Sequence, residues 1–157
     1  MGMILTMTSK LLFQKLKEFE GCRLKAYKDV AGVWTIGYGH TGDVVKGDRI
    51  SQWWADELLR VDIANAERQV LKLGVCRTQG ELDALVSFVY NLGIAALKTS
   101  TLYRLIRSGK SNRARIKKEF GKWVWAGGQK MPGLIKRRAW EAERFFEKTE
   151  ELTKELD

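Results

Sequence analysis

The sequence predicts a single α+β domain that is mostly helical and carries one small β-hairpin. Its 157 residues include one proline, so long stretches run without a strong helix breaker. Hydrophobic residues make up 45% of the chain, which excludes a disordered protein. Alternating segments typical of strands are confined to residues 23–38, around a glycine-containing turn. The length suits one folding unit with a substantial core.

Composition also excludes several classes of protein and site. No apolar run approaches the roughly 20 residues that a membrane-spanning helix requires. The opening segment, MGMILTMTSK, is too short for a signal peptide or an anchor. One histidine, with Cys22 and Cys76 far apart in sequence, does not supply the ligand spacing of a zinc site. We therefore expect no metal or other cofactor, and two reduced thiols.

The first predicted helix spans about residues 10–19 and follows Ser9, a good N-cap. Glu20 falls at its C-terminal end, where the helix dipole disfavours a negative charge. This position favours a carboxyl group that keeps its proton, as a general acid must. Apolar residues recur along the helix at helical spacing: Leu11, Leu12, Phe13, Leu16 and Phe19.

Two short strands, residues 23–29 and 33–38, are predicted to form a hairpin around a turn at residues 30–32. A tight hairpin would place Asp29 and Thr35 at facing positions, so that both side chains address one point. Glu20, from the preceding helix, is expected to face the same point from the other side. Two carboxyl groups that flank one bond are what glycoside hydrolysis needs.

Each of these residues also has an ordinary structural explanation. A glutamate at a helix end is usually solvated, and an aspartate before a turn usually stabilises that turn. The glycines of GYGHTG could indicate a phosphate-binding loop, but no Lys-Ser/Thr pair follows them. The combined spacing favours catalysis over these explanations.

The order of residues in this stretch resembles that of the phage-type lysozymes, glycoside hydrolase family 24. Asp29 follows Glu20 by nine residues, Thr35 follows Asp29 by six, and Ile-Gly-Tyr-Gly-His comes next. The resemblance implies that Glu20, Asp29 and Thr35 are catalytic. It also implies a lysozyme-like two-lobed fold, in which a long helix joins a small hairpin lobe to a larger helical lobe. Further candidate substrate contacts in the same motif are Tyr38, Gly39 and Thr41.

That long helix is predicted over about residues 52–73, with Ser51 as its N-cap. The resemblance places an acidic partner for His40 at Asp62, so His40 is expected to be a structural ion-pair member and not a base or a ligand. The apolar side of the helix is predicted to comprise Trp54, Leu58, Leu59 and Val61, while Asp56, Arg60 and Glu67 face outward.

A capping box formed by Thr78 and Glu81 opens the next helix, which Gly93 is expected to end. The segment SFVYNLG again resembles the family, in which this helix end lines the sugar cleft. Tyr90 and Asn91 are therefore candidate substrate contacts, although a core aromatic and a helix-end asparagine explain them almost as well. The buried face is predicted to comprise Leu82, Leu85, Val86, Val89 and Tyr90.

Two shorter helices follow, from Ser100 to about residue 108 and from Ser111 to about residue 123. By resemblance, Thr101 is a further cleft residue. A glycine-rich loop, AGGQKMPG, then leads to a last helix with Pro132 at its first position. The polar tail, residues 149–157, is expected to be a frayed helix end.

Arg138 falls on the apolar stripe of this last helix, where a charged residue needs a partner. The pattern AGGxxxPGLxxRRxxE resembles the family, whose catalytic glutamate is typically held by an arginine. Arg138, with Arg137 as second choice, is therefore the expected partner of Glu20. The stripe itself comprises Ile135, Ala139, Ala142, Phe145 and Phe146.

Charge is distributed unevenly along the chain. The stretch from Lys98 to Arg138 has 13 lysines and arginines against a single acid, Glu119, which gives it a charge of +12. The whole chain carries +9, so the remainder sums to −3. Such a basic region implies a polyanionic partner, either nucleic acid or the carboxylate-bearing bacterial cell wall. No zinc-finger, RNA-binding or basic-zipper motif supports nucleic acid.

Together, these features predict a single catalytic domain over residues 1–157. Its hairpin lobe would cover about residues 20–60, and its helical lobe residues 61–149 together with the first helix. The resemblance implies hydrolysis of peptidoglycan by a monomeric endolysin during phage-mediated lysis. The Thr35 hydroxyl beside Asp29 predicts inversion, since it would hold a water for attack. It implies release from the host cytoplasm to the wall with a separate membrane-permeabilising partner. The alternatives are a lytic transglycosylase, which would need the glutamate alone, and a non-catalytic wall-binding module.

Overall fold

The computed structural model describes residues 9–152, and the mostly helical α+β fold is confirmed over that range. Helices make up most of the secondary structure, and the strands form two antiparallel sheets of two strands each. No helix among these residues is both long and apolar enough to cross a membrane. The elements in order are α1 (Lys10–Glu20), β1 (Arg23–Lys28), β2 (Trp34–Gly37), α2 (Gln52–Leu71), α3 (Gln79–Leu92), α4 (Ile94–Lys98), α5 (Thr101–Ser108), α6 (Arg113–Phe120), β3 (Trp125–Ala126), β4 (Gln129–Lys130) and α7 (Pro132–Phe146).

The chain divides into two compact units at a boundary inside α2, between Asn65 and Ala66. We call residues 9–65 the hairpin unit and residues 66–152 the helical unit. The helix α1 belongs to the hairpin unit, whereas the sequence placed it with the helical lobe. Its contacts explain the difference, since Lys17 bonds to Asp56 of α2 at 3.3 Å.

The hairpin unit is built on α1 and the first part of α2. Ser9 caps α1, as predicted, by accepting a hydrogen bond from the Leu12 N–H at 3.0 Å. Leu12 and Leu16 are buried, but Leu11 is 41% exposed. Ser51 likewise accepts from the Trp54 N–H at 3.1 Å at the start of α2.

The predicted buried side of α2 is confirmed at Leu59 and wrong at Trp54 and Val61. Trp54 and Val61 are 47% and 55% exposed, and the predicted outward-facing Glu67 is buried. Two sets of apolar residues on α2 share helical spacing, and the set with the smaller side chains faces the core. This set comprises Ala55, Leu59, Ile63, Ala66 and Val70.

The helical unit has its core along α3, in which every residue from Leu82 to Val89 is buried. Tyr90, predicted to share this face, is half-buried. The capping box of Thr78 and Glu81 is present as predicted. Phe88 packs edge-on against Phe120 and Trp123, with ring centroids 6.2 and 5.5 Å away. These contacts pin α6 and the chain after it to α3.

The segment between α5 and α7 differs from its prediction. The N-cap of α6 is Asn112 and not Ser111: its side-chain oxygen accepts from the Arg115 N–H at 2.8 Å. This helix ends at Phe120, three residues before the predicted end. Within the expected glycine-rich loop, β3 and β4 form a short hairpin around Gly127 and Gly128, whose φ angles of +58° and +77° a glycine adopts without strain.

The start of the polar tail is not a frayed helix end. The Gly80 N–H donates to the Thr149 hydroxyl at 2.9 Å, and the Gln79 N–H donates to the Glu150 carbonyl at 2.9 Å. The Leu152 N–H donates to the Arg77 carbonyl at 2.8 Å. Residues 149–152 therefore bind the N-terminus of α3, where helical N–H groups lack partners. The rest of the predicted tail, residues 153–157, lies outside the described residues.

Candidate active site

Asp29 organises the turn of the first hairpin. Its Oδ1 accepts hydrogen bonds from the N–H groups of Ala31 and Val33, both at 2.9 Å. Its carbonyl accepts from the Gly32 N–H at 3.0 Å, and its own N–H donates to the Val33 carbonyl. Gly32 takes a φ of +81°, as a three-residue hairpin loop of this kind requires. The turn expected at residues 30–32 is therefore present.

The second carboxylate oxygen of Asp29, Oδ2, takes no part in the hydrogen bonds of the turn. Within residues 9–152, Oδ2 accepts no hydrogen bond, and the side chain is half-buried. Four hydrogen bonds that involve Asp29 fix the backbone and Oδ1. The carboxylate is thus held rigidly, with one oxygen left as an acceptor.

Thr35 does not lie directly opposite Asp29, as the sequence suggested. The register pairs Thr35 with Tyr27, and Asp29 faces Val33. Because side chains two residues apart in a strand share a face, Asp29 and Thr35 are diagonal neighbours on one face of the hairpin. The Thr35 hydroxyl donates to the Val33 carbonyl at 2.9 Å and is buried. Its oxygen therefore remains an acceptor.

Glu20 is the last residue of α1, as predicted, and the helix stops at Gly21. Its carboxyl group lies against the backbone of Gly39: a Cβ atom built on Gly39 would stand 3.3 Å from Oε2 of Glu20. Gly39 also has a φ of +83°, which other residues rarely adopt. The backbone angle favours glycine at this position, and a Cβ atom there would crowd the carboxyl group of Glu20.

The segment Ile36–His40 folds into a tight turn that presents Gly39 to Glu20. The N–H and carbonyl groups of Ile36 and His40 bond reciprocally at 2.9 Å. Nδ1 of His40 lies 2.7 Å from Oδ2 of Asp62, so the predicted contact between these two residues is present. This contact ties the turn to α2. Thr41 follows on the surface.

Tyr38 is 5% exposed, so its side chain is part of the interior of the hairpin unit. Its hydroxyl accepts from Nε2 of Gln52 at 2.9 Å, and the same amide donates to Asp56 at 2.9 Å. Burial raises the pKa of Tyr38 despite the hydrogen bond from Gln52. Burial also opposes ionisation of Asp56, but hydrogen bonds from Gln52 and Lys17 outweigh it and lower the Asp56 pKa.

This network of Lys17, Tyr38, Gln52 and Asp56 was missed by sequence reasoning. Gln52 and Asp56 are one helical turn apart on α2, and Lys17 lies on α1. The i,i+4 spacing of Gln52 and Asp56 was the available signal. Because Gln52 holds Tyr38, which precedes Gly39, the network supports the turn next to Glu20.

The remaining predicted site residues belong to the helical unit. Arg138 is buried, as expected for its position, and its guanidinium bonds to Glu141, to the side chain of Asn91 and to the Trp123 carbonyl. Tyr90 and Asn91 lie in the last turn of α3, and Thr101 begins α5; all three are half-buried.

Arg137 is also buried and bonds to the hydroxyl and the carbonyl of Ser87. Its partner within α7 is Glu141, at 3.5 Å. The buried charges of α7 thus have partners in their own unit. The pairing of Glu20 with Arg138 or Arg137 stays a prediction.

No group of three or more metal-ligating side chains occurs among residues 9–152. Cys22 and Cys76 are both free thiols. Burial raises the pKa of Cys76 to about 12, with nearby Glu81 adding to the effect, so this thiol stays protonated. The candidate catalytic groups in the hairpin unit are the carboxyl groups of Glu20 and Asp29 and the hydroxyl group of Thr35.

Comparison with known proteins finds relatives over most of the chain. The family model described as Phage lysozyme matches residues 17–141. An endolysin of Bacillus phage B103 is 45% identical over 137 residues, which cover 83% of this chain and 51% of that protein. An endolysin of Acyrthosiphon pisum secondary endosymbiont phage 1 is 44% identical over 128 residues, 78% of this chain and 86% of that protein.

Further matches extend this result. A SAR-endolysin of Bacteriophage PS119 is 40% identical over 123 residues, 76% of this chain and 71% of that protein. The chain spans about half the length of the Bacillus phage relatives it matches. Among solved structures, the muramidase domain of SpmX from Asticaccaulis excentricus has a TM-score of 0.78 and 33% identity, covering 89% of this chain and 97% of that one.

Proposed function

Since the chain belongs to the phage lysozyme family, we propose that it hydrolyses the β-1,4 bond between N-acetylmuramic acid and N-acetylglucosamine in bacterial peptidoglycan. It is a glycoside hydrolase of the endolysin type. The observation that carries the assignment is the state of Asp29, whose turn-forming oxygen is fully engaged while Oδ2 accepts no hydrogen bond within residues 9–152. That oxygen is fixed in place and remains available to accept a proton from water.

Glu20 acts as the general acid that protonates the leaving oxygen. Glu20 is the last residue of α1, and its carboxyl group lies beside the turn that carries Gly39. Gly39 has no side chain, so a sugar oxygen can approach the carboxyl group of Glu20 over the bare backbone of the turn.

Asp29 and Thr35 direct the attacking water. The Thr35 hydroxyl donates its hydrogen bond to the Val33 carbonyl, so its oxygen is left to accept a hydrogen bond from the water. Oδ2 of Asp29 accepts the other water proton and takes it up during attack. With both protons engaged, a lone pair of the water points away from the hairpin, toward the anomeric carbon.

This arrangement favours inversion of configuration. A carboxylate nucleophile would have to contact the anomeric carbon itself and would need no hydroxyl beside it. We expect the carboxyl groups of Glu20 and Asp29 to lie roughly 6.5–9.5 Å apart in the substrate complex, as against about 5–5.5 Å in retaining enzymes.

Proton NMR on a short soluble muropeptide tests both cleavage and stereochemistry. Spectra taken before mutarotation should show the α-anomer at the new reducing end first. An initial β-anomer, or a glycosyl adduct on Asp29 in the intact mass, would contradict the water-directing role. Absence of any cleavage would contradict the function itself.

We further propose a setting in phage-mediated host lysis, to which the endolysin relatives point. The protein would act as a monomer on glycan strands, without a nucleic-acid partner. It would stay in the host cytoplasm until a separate membrane-permeabilising partner lets it reach the wall.

A further inference from the structure

Gln52 is an exposed residue of α2, yet every polar atom of its side-chain amide has a partner. Its Nε2 donates to the Tyr38 hydroxyl and to Oδ1 of Asp56, both at 2.9 Å. Its Oε1 accepts from Sγ of Cys22 at 3.9 Å. A half-turn of the amide would bring Oε1 against the Asp56 carboxylate, so that two acceptors would face each other. The neighbours of Gln52 therefore fix the orientation of its amide.

Tyr38 connects this amide to the backbone beside Glu20. The Tyr38 side chain is buried, and besides accepting from Gln52 it hydrogen-bonds with Asp56. Gly39 follows directly, and a Cβ atom there would stand 3.3 Å from Oε2 of Glu20. The peptide unit that joins Tyr38 to Gly39 is planar and stiff, so a displacement of Tyr38 also displaces Gly39. Gln52 thus helps to set the position of the backbone that Glu20 faces.

A second anchor holds the same turn from the other side. Nδ1 of His40 lies 2.7 Å from Oδ2 of Asp62. Gln52 and Asp62 are ten residues apart on α2, which corresponds to about 15 Å along the helix axis. Gly39 therefore lies between two residues, each of which is tied to a different position on one helix.

The same network also reaches the end of α1, which carries Glu20. Asp56 bonds to Gln52 through Oδ1 and to Lys17 through Oδ2, the latter at 3.3 Å. Lys17 lies in the last turn of α1, three residues before Glu20. The Lys17 carbonyl accepts from the Gly21 N–H at 3.1 Å, where the helix ends. The amide of Gln52 therefore joins the two elements that meet at the carboxyl group, the helix end and the turn.

We propose that Gln52 is a positioning residue for the general acid. Acting through Tyr38, its amide fixes the turn at Gly39 relative to the end of α1, and so holds the Glu20 carboxyl group where the leaving oxygen arrives. The proposal rests on the proposed function, which assigns that proton transfer to Glu20. Such positioning matters, since a misplacement of about 1 Å can lower a rate about 100-fold. If Gln52 only stabilised the fold, turnover by the folded protein would not depend on it.

Gln52→Met is the test variant, because methionine has a similar length and shape and no hydrogen-bonding amide. The matched control is Gln69→Met, the same change at an exposed position of the same helix. Initial rates are measured on a short soluble muropeptide, at a temperature at which thermal unfolding shows every variant to be folded.

Gln52→Met should lower kcat about tenfold and leave KM within about twofold of the parent, because the acid is misplaced while the contacts that bind the substrate remain. Gln69→Met should match the parent in both constants. An unchanged kcat in Gln52→Met, or a change in KM alone, would overturn the proposal.

Tyr38→Phe shows whether Gln52 acts through Tyr38, because it removes the hydroxyl group and keeps the buried ring. The double variant of Gln52→Met and Tyr38→Phe should have a kcat within about twofold of that of Tyr38→Phe alone, since both substitutions remove the same hydrogen bond. Losses in kcat that multiply in the double variant would contradict transmission through Tyr38.

Hydrogen exchange reports on the turn itself. The His40 N–H, which donates to the Ile36 carbonyl at 2.9 Å, should exchange severalfold faster in Gln52→Met than in the parent. Amides within α3 should exchange at the parental rate. Unchanged exchange at His40 together with a lowered kcat would overturn positioning through the turn. Faster exchange in both places would mean a loss of global stability and would overturn it as well.

The parent protein tests the proposed function, and the variants test the role of Gln52. If the parent releases no product, the proposed function fails, and exchange at the His40 N–H still shows whether Gln52 fixes the turn. If the parent hydrolyses the substrate and Gln52→Met matches it, the proposed function stands and this inference fails.

Discussion

One carboxylate oxygen of Asp29 stabilises the fold, and the other is available for catalysis. Oδ1 stabilises the hairpin turn through the N–H groups of Ala31 and Val33. Oδ2 is the oxygen proposed to direct water. An asparagine keeps an acceptor oxygen for the turn and loses the charge, whereas an alanine loses both.

Asp29→Asn should therefore lower hydrolysis at least about 100-fold, since general base catalysis contributes on that scale. Its free energy of unfolding should stay within about 0.5 kcal/mol of the parent. Asp29→Ala should lose the same activity and also about 1 kcal/mol of stability, because two turn hydrogen bonds disappear. Urea unfolding and initial rates on sacculi measure both. Full activity in Asp29→Asn would remove this residue from the mechanism.

Glu20→Gln should abolish wall clearing while keeping the fold, because the amide has almost the same volume and no acidic proton. The expected loss is on the order of 10²- to 10⁴-fold. A small rise in melting temperature is also expected, since a carboxyl group at a helix C-terminus is unfavourable. Turbidity of a sacculus suspension reports the rate. Clearing near the parental rate would contradict the assignment.

At this scale, spacing predicted where Glu20 and Asp29 lie in their elements, but not the register of Thr35 in the hairpin. Glu20 ends its helix and Asp29 precedes its turn, since caps and turn residues leave local signals. Thr35 pairs with Tyr27 and not with Asp29, because the three-residue loop fixes a register that alternation alone does not specify. The contact of Gly39 with Glu20 depends on two elements meeting, and no local pattern encodes it.

Single helices show what sequence patterns can and cannot specify. The capping box of α3 was predictable because Thr78 and Glu81 interact within one turn. The buried side of α2 was not, since two apolar stripes have helical spacing. Ala55 faces inward because the backbone comes close there: a Cβ on Gly37 would lie 3.6 Å from that of Ala55. Such close approach favours a small residue over Trp54.

The N-terminus of α3 gives a prediction for an element and the tail segment that covers it. A Cβ on Gly80 would lie 2.4 Å from the Arg144 carbonyl oxygen, a backbone atom that cannot move freely. Gly80→Ala should therefore destabilise the protein by about 2 kcal/mol or more, by overpacking. The usual gain of a glycine-to-alanine change in a helix is outweighed here.

Gly133 is the matched control, because it lies in α7 and its Cβ position is open. Gly133→Ala should stabilise the protein by roughly 0.4–1 kcal/mol, through a less flexible unfolded chain. Urea unfolding of both variants measures the difference. Similar effects of the two substitutions would mean that residues 149–152 and the end of α7 do not pack on α3 as described.

For the whole molecule, charge and stability are linked through pH. The lowered pKa of Asp56 means that the folded state favours the ionised carboxylate more than the unfolded chain does. Its stabilising contribution is therefore complete above the unfolded pKa of about 3.9 and is lost as pH falls through the lower folded value. Burial alone would lower the pKa of Lys17, but the hydrogen bond to Asp56 and its charge outweigh burial and raise that pKa. Lys17 therefore stays charged throughout this range.

Asp56→Asn should remove this part of the acid sensitivity. Between about pH 5 and pH 2, its free energy of unfolding should fall less steeply than that of the parent, with a difference on the order of 1 kcal/mol at neutral pH. Urea titrations across this range measure it. Asp43→Asn, on an exposed loop, serves as the control and should follow the parent. Parallel curves for the parent and Asp56→Asn would contradict the stabilising role of Asp56.

The division into two units also bears on what sequence could tell at the largest scale. The motif of residues 20–41 lies within the hairpin unit, and the basic stretch lies within the helical unit. Both were visible in the sequence because each is continuous. That α1 joins the hairpin unit was not visible, since it depends on the contacts of Lys17 and Phe13 with α2.

The central claim, hydrolysis of the muramyl bond by a directed water, is tested most directly with isolated sacculi in water enriched in ¹⁸O. Mass spectrometry of the released muropeptides should show reducing N-acetylmuramic acid ends, each with one ¹⁸O atom at the anomeric position. Asp29→Asn should release almost none. Anhydro ends without ¹⁸O would instead identify a transglycosylase that needs Glu20 alone, and would contradict the roles given to Asp29 and Thr35.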